Sequence, residues 1–186
     1  MIFALCFYSA MFVVGIAIPR ESCHGDLNRG HWRCSNRTRA IKYYFDKELD
    51  TCLPFLYEGC GGGANHWNDV EFCIQRCKPA DRGTCGGGAR ALASCSTRNR
   101  RCPLGSSCYI MAFGNGLCCN DRIQQAWRKE HHPKCLDSGF TVVTEPVWYG
   151  EQPLLGKSCE HKFCPFGSKC VPGRWLAHCC QPIKSR

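Results

Sequence analysis

Cysteine decides which class of structure this chain can adopt. Nineteen of its 186 residues are cysteine, a share that marks disulfide scaffolds rather than ordinary globular domains. Such pairing matures in oxidising compartments, because cytosolic reductants keep thiols apart. The most ordered spacing falls in residues 52–77, CLPFLYEGCGGGANHWNDVEFCIQRC, where seven, twelve and three residues separate four cysteines. Phe55, Tyr57 and Trp67 supply aromatic surface there, and three glycines follow Cys60.

Residues 1–17, MIFALCFYSAMFVVGIA, carry no charge and are almost wholly apolar. They read as a secretory signal, with Gly15 and Ala17 as the small residues before the cut. The rival is a membrane anchor, for which the apolar run up to Ile18 is at the short limit for spanning. Cleavage removes Cys6 and leaves an even number of cysteines, as complete pairing requires. The mature chain is therefore expected to be secreted and extracellular, with no membrane association after signal cleavage. Residues 18–22 form a short N-terminal extension.

Residues 23–77 hold six cysteines: Cys23, Cys34, Cys52, Cys60, Cys73 and Cys77. A module this small cannot stand on its apolar core alone, so disulfides must supply the difference, each contributing on the order of 2–4 kcal/mol. Residues 40–47 (AIKYYFDK) and 51–57 read as two strands joined by a turn at 47–50, a twisted hairpin. Asn68 or Asp69 caps a short helix running to Cys77, with Glu71 near its positive end. Cys73 and Cys77, four apart, share one face of that helix.

This module resembles the Kunitz domain of the pancreatic trypsin inhibitor family. The resemblance rests on the cysteine gaps of ten, seventeen, seven, twelve and three residues, on Tyr43–Phe45, Phe55 and Tyr57, and on Gly59-Cys60, Asn65, Trp67 and Glu71. It implies the pairing Cys23–Cys77, Cys34–Cys60 and Cys52–Cys73. It also implies inhibition of a serine protease by a rigid, substrate-like loop around Cys34, preorganised so that little entropy is lost on binding. The residue directly after Cys34 enters the enzyme's specificity pocket in such inhibitors, and here it is Ser35, suited to a small pocket. The protease-binding loop is accordingly expected to comprise Arg33, Cys34, Ser35, Asn36, Arg37 and Arg39, with Glu58 and Gly59 opposite.

Both gaps flanking Cys34 are two residues longer than the family's. Counted back from the aromatic strand, the basic residue of a trypsin inhibitor falls near Arg37, so Arg37 and Arg39 are alternative specificity residues. The family's glycine two before Cys34 is Trp32, and the glycine two before Cys60 is Glu58. Asn36-Arg37-Thr38 is an N-glycosylation sequon, the only one in the chain, and Asn36 is the expected acceptor.

After a polar linker at 78–84, twelve cysteines fall into two similar sets, residues 85–119 and 135–180. CPLGSSC in the first matches CPFGSKC in the second, and each set ends in adjacent cysteines. This is an internal repeat whose length varies before its shared half. The repeats resemble the lustrin-type cysteine-rich repeats found beside Kunitz domains in secreted nematode proteins, which implies an association with extracellular matrix or cuticle. Their internal pairing is open from sequence. Gly86–Gly88 and residues 114–116 read as turns. Residues 120–134 read as a second linker, in which Ile123, Ala126 and Trp127 suggest no more than one helical turn, and 181–186 as a tail.

Net charge is +9, and residues 78–134 carry ten basic against three acidic residues. A basic extracellular surface suits acidic glycans or matrix proteins as well as solubility. No aromatic-basic binding motif points to nucleic acid. Arg98-Asn99-Arg100-Arg101 resembles a convertase site but runs into Cys102-Pro103, so it reads as a surface basic patch. His131-His132 beside Cys135, and His161 between Cys159 and Cys164, raise zinc; even cysteine parity in a secreted chain favours disulfides, and no metal or cofactor is expected. No nucleophile elbow and no phosphate loop is present, so the chain is not expected to be an enzyme.

The expected fold is small and disulfide-rich: a Kunitz α+β module, a twisted hairpin plus C-terminal helix, followed by two loop-rich six-cysteine repeats. The expected function is inhibition or modulation of an extracellular serine protease. The alternative is a non-inhibitory structural or interaction protein of matrix or cuticle; a channel-blocking toxin shares the fold but not the long C-terminal part.

Overall fold

The computed structural model describes residues 20–35, 38–78 and 83–183. The expected signal at 1–17, part of the extension, Asn36 and Arg37, residues 79–82 of the first linker and 184–186 of the tail lie outside them. No helix of the described residues is long and apolar enough to cross a membrane.

Strands β1 (Ala40–Asp46) and β2 (Thr51–Tyr57) pair antiparallel, from Ala40 opposite Tyr57 to Asp46 opposite Thr51. The Asp46 carboxylate accepts from the Leu49 amide at 2.9 Å and fixes the intervening turn. Apolar residues do not alternate with polar ones in this hairpin because both of its faces are covered. On one face Phe45 and Cys52 pack with Trp67, Cys23 and Cys73 under helix α1 (Val70–Cys77). On the other, Tyr44, Leu53 and Phe55 pack against Leu176, flanked by Trp127, Leu155 and Trp175, all from the C-terminal half.

Helix α1 begins where Asp69 accepts from the Phe72 amide at 2.9 Å, with Glu71 in its first turn and Arg76 in its last. Those charges suit the helix dipole. Eight residues are too few for a self-sufficient helix, and Cys52–Cys73 and Cys23–Cys77 fasten it to the hairpin and to the N-terminal segment. Asn65, 2% exposed, completes the module. Its amide oxygen accepts from Phe45 N, and its nitrogen donates to the carbonyls of Phe45 and Gly25.

The first repeat is a three-stranded sheet of β3 (Ala93–Ser96), β4 (Ser106–Ile110) and β5 (Asn115–Asn120), in the order β3-β5-β4. The second has a longer approach to its shared half, which folds as β6 (Phe140–Val142), the hairpin β7 (Thr144–Val147) and β8 (Gly150–Pro153), and β9 (Leu155–Gly156). Strands β10 (Lys169–Pro172) and β11 (Ala177–Pro182) then pair, and β6 and β9 join β11.

Both repeats share one disulfide pattern: first with sixth, second with fourth, third with fifth. In the first these are Cys85–Cys119, Cys95–Cys108 and Cys102–Cys118. In the second they are Cys135–Cys180, Cys159–Cys170 and Cys164–Cys179. The terminal pairs Cys118-Cys119 and Cys179-Cys180 lie in strands, where successive side chains point to opposite faces. Adjacent cysteines must therefore bond in opposite directions. The shared turns are also alike. The Ser106 amide and hydroxyl donate to the Pro103 carbonyl, and those of Ser168 to Pro165. Gly105 and Gly167, at φ 76° and 82°, take the third turn position, which the left-handed region reserves for glycine.

Two readings of the sequence need correction. Residues 120–134 are not a plain linker: they contain helix α2 (Asp121–Glu130), capped by Asn120, which accepts from Ile123 N at 3.2 Å. Its sequence is mostly polar, and packing of the partly buried Trp127 against the other modules is what holds it. The run Gly86–Gly88 does form a turn, a short 3-10 one, and it has a packing role as well. A Cβ on Gly86 would sit 2.6 Å from Trp127, and Cβ atoms on Gly87 and Gly88 would overlap Trp175 and the Glu48 carbonyl. Of residues 114–116, only Gly114 belongs to a turn, since β5 already begins at Asn115.

Candidate functional site

The candidate site is the loop around Cys34. At its base residues 29–31 run antiparallel beside 58–60. His31 N donates to Cys60 O at 2.8 Å, Cys60 N to His31 O at 3.1 Å, and Glu58 N to Arg29 O at 2.9 Å. Gly30, at φ 71°, makes this approach possible; a Cβ there would overlap the Cys60 carbonyl oxygen. Only glycine combines that dihedral with that clearance. The glycine that the family carries two before Cys34 is replaced by Trp32, but its task falls to Gly30, four before Cys34. The added residues lengthen the loop above a base that keeps its backbone pairing.

Above the base the chain is open to solvent. Trp32 is 52% exposed, and Arg33, Cys34 and Ser35 are exposed. The Arg33 guanidinium lies 5.6 Å over the Trp32 ring, a cation–π contact. Cys34 bonds Cys60, so the tip is tied to the opposing segment that carries Glu58 and Gly59. Asn36 and Arg37, next in the loop, fall outside the described residues.

Glu58 has a definite task. Its side chain is 15% exposed and accepts from Arg29 Nη2 at 2.7 Å, while Arg39 Nη2 lies 2.9 Å from its other oxygen, off the axis of a hydrogen bond. One carboxylate thus clamps both legs of the loop: Arg29 precedes Cys34, and Arg39 follows it. Partial burial strengthens such charge-assisted contacts. Arg39 is therefore engaged at the base, which separates it from the exposed residues at the tip.

Arg29 was not legible as a site residue. It stands among other basic residues, and only the acid at 58 asks for a partner. Its Nε also donates to Leu56 O at 3.0 Å, and its Nη1 to Glu160 O at 2.9 Å, in the second repeat. One guanidinium thus joins the loop, the end of β2, Glu58 and a different module. Beside it His161 packs edge-on against Tyr44 at 5.6 Å. Burial and the Arg29 charge hold its imidazole below the usual histidine range.

The candidate metal ligands are distributed otherwise. Cys95, Cys102 and Cys118 converge, as do Cys135, His178 and Cys180, but each of these cysteines is oxidised in a disulfide. They offer no thiolate for a metal. His131 directs Nδ1 to the Trp127 carbonyl at 3.0 Å.

Comparison with known proteins agrees with this geometry. Residues 22–78 match the Kunitz/Bovine pancreatic trypsin inhibitor domain. A BPTI/Kunitz inhibitor domain-containing protein of Caenorhabditis elegans is 41% identical over 92% of this chain and 95% of its own length. The major allergen Ani s 1 of Anisakis simplex is 35% identical over 76% of each chain. The Kunitz-type serine protease inhibitor A of Rhipicephalus microplus is 50% identical over 42 residues, 22% of this chain and 35% of its own. The first two extend well beyond the Kunitz module into the cysteine-rich half. With the base of the loop, the hairpin and the helix in place, the chain is a member of the Kunitz/BPTI inhibitor-domain family.

Proposed function

We propose that this protein is a secreted inhibitor or modulator of an extracellular serine protease, and that it presents the Cys34 loop to the enzyme. One observation carries the reading: the exposed run Trp32–Ser35 stands on a base fixed by backbone pairing, by the Cys34–Cys60 disulfide and by the Glu58 clamp. A loop held in one conformation loses little entropy on docking. It also stays in register if its peptide bond is cut, so the acyl-enzyme reverts. The contact residues are Arg33, Cys34, Ser35, Asn36 and Arg37, with Gly59 at the side and Arg39 and Glu58 beneath. Ser35 enters a small specificity pocket; for a trypsin-like enzyme, Arg37 takes that place. A glycan on Asn36 stands at the loop and tunes access. Residues 1–17 direct secretion, and the three modules span 23–77, 85–119 and 135–180. The protein acts by binding rather than by catalysis.

The test is titration of the purified protein against trypsin-, chymotrypsin- and elastase-like enzymes, before and after removal of N-glycans. Stoichiometric loss of activity is expected for one class. Ser35→Arg shifts the preference toward trypsin-like enzymes if Ser35 is the specificity residue, and Arg37→Ala abolishes trypsin inhibition if Arg37 is. No inhibition by either glycoform overturns the proposal.

A second reading, a non-inhibitory matrix or cuticle component, is favoured by the repeats. Leu104 and Phe166 hold the same position in the two shared turns and are fully exposed, at 104% and 109%. Arg98, Arg100 and Arg101 are exposed beside the first of them. Cationic surface of this kind suits sulfated glycans. Under this reading the protein is retained on a sulfated-glycan column in a salt-dependent manner and inhibits no protease.

A further inference from the structure

The modules enclose a cleft of ≈ 550 Å³ that the Kunitz module alone does not possess. Its floor is β2 with Leu176 of the second repeat, and Leu53 and Leu176 are both buried there. Helix α1 forms one wall through Val70 and Ile74, and the β7–β8 hairpin forms the opposite wall through Glu145, Tyr149 and Glu151. His131 and His132, at the end of α2, close a third side. Small-molecule sites have this size and this character: an apolar floor between modules, with a few convergent polar groups.

Both walls are pinned. Tyr43 Oη donates to Glu145 at 2.6 Å, and Gln152 donates to its other oxygen at 2.9 Å. The Trp148 amide donates to Glu71 of α1 at 3.1 Å, which ties the hairpin tip to the facing helix. Glu130 holds the far end, where its carboxylate accepts from the amides of Arg174, Trp175 and Leu176 at 2.6–2.9 Å. The cleft is thus enclosed on several sides by fixed elements, which favours a small molecule over an extended peptide.

Charge selects the class of ligand. Among the described residues neither lysine nor arginine lines the cleft, although the chain carries +9. The lining carboxylates are Glu145 and Glu151, and Thr144 orients the second by a hydrogen bond from its hydroxyl. We propose that this inter-module cleft binds a small apolar amine, with its ring body against Val70 and Ile74 of α1 and its ammonium toward Glu151. This site is separate from the Cys34 loop and stands or falls independently of protease inhibition.

The full-length secreted protein tests this with three probes of one shape: 2-phenylethylamine, 2-phenylethanol and 3-phenylpropionate. Binding is followed by amide chemical shifts and by calorimetry. The amine is expected to saturate one site with Kd about 0.1–1 mM and to shift amides in β2, α1 and the β7–β8 hairpin. The alcohol binds roughly three- to tenfold more weakly, the size of one partly exposed charge contact, and the carboxylate does not bind. Glu151→Gln removes the preference for amine over alcohol, and Ile74→Trp, at a half-open position on α1, fills the cleft and abolishes both. Absence of saturable amine binding, equal affinity for amine and alcohol, or shifts confined to other regions overturns the proposal.

Discussion

The two faces of the β1–β2 hairpin are covered by different means. The inner face lies under α1, and two of the module's own disulfides close it. The outer face has no disulfide to its cover. Leu176, Trp127 and Trp175 reach it from the C-terminal half by packing alone, helped by Lys157, which pairs with Asp46 and Glu48 across the same junction. The difference teaches that this Kunitz module is not finished at its last cysteine. Phe55, with no exposed surface, shares its cluster both with Tyr44 of its own module and with residues more than seventy positions later. A covalent face tolerates change in its neighbours; a face closed by packing depends on them.

The sharpest way to break the comparison is Leu176→Ala. Large-to-small changes at a buried leucine cost about 2–5 kcal/mol, and here the cavity opens between modules. Thermal unfolding of the oxidised protein should then show the Kunitz module and the second repeat losing stability together. If near-ultraviolet signals of the Kunitz aromatics keep their midpoint while the repeat melts earlier, the outer face is not a shared core.

The inner face is readable in the sequence, and the outer face is not. Cysteine gaps, the aromatic strand and the Asp69 cap are local signals, and local signals specify the hairpin and helix. The unalternating run Tyr43–Phe45 did hold a trace of the second cover, because a hairpin with one wet face would alternate. What supplies that cover could not be read from it. Helix α2 was legible as no more than one turn, because ten mostly polar residues form a helix only when Trp127 packs, partly buried, against another module. Pairing in the repeats was open because six cysteines allow fifteen connectivities. At the candidate site the exposed tip was legible as Cys34 and its neighbours. The clamp was not, because Arg29 and Glu58 are twenty-nine residues apart, and nothing in a basic stretch marks one arginine as the partner.

Arg29 joins the outer face to the loop, and Arg29→Met sharpens the comparison at that joint. The change removes donors to Leu56, Glu58 and Glu160 and leaves the Glu58 carboxylate with Arg39. Trypsin cleavage of the full-length protein between residues 30 and 39 should accelerate about tenfold, because local opening exposes the loop; that factor corresponds to about 1.4 kcal/mol. Lys157→Ala is the control. It cuts a contact between the same two modules away from the loop and should leave the cleavage rate unchanged. Equal acceleration in both variants would mean that general loosening of the second repeat, rather than the clamp, governs the loop.

The smallest expected effect is a pH dependence centred on the outer face. His161 lies there against Tyr44, facing Arg29, Lys157, Asp46 and Glu160. Burial, and next the Arg29 charge, depress its protonation in the folded state; Lys157 acts in the same direction, and the two carboxylates oppose it. His178, also in the second repeat, is depressed by burial. The unfolded chain therefore binds protons that the folded one refuses, so stability rises with pH through this window. It is fully present above the ordinary histidine pKa of about 6.5 and is lost as pH falls through the lower folded values. Mild acid should thus lower the melting midpoint. His161→Gln should flatten part of that slope, and the residual slope should disappear when His178→Gln is added. A slope that survives both changes would assign the acid sensitivity to other groups. A slope carried by the inner face, seen as early loss of α1 signals at low pH, would reverse the comparison between the two sides of the hairpin.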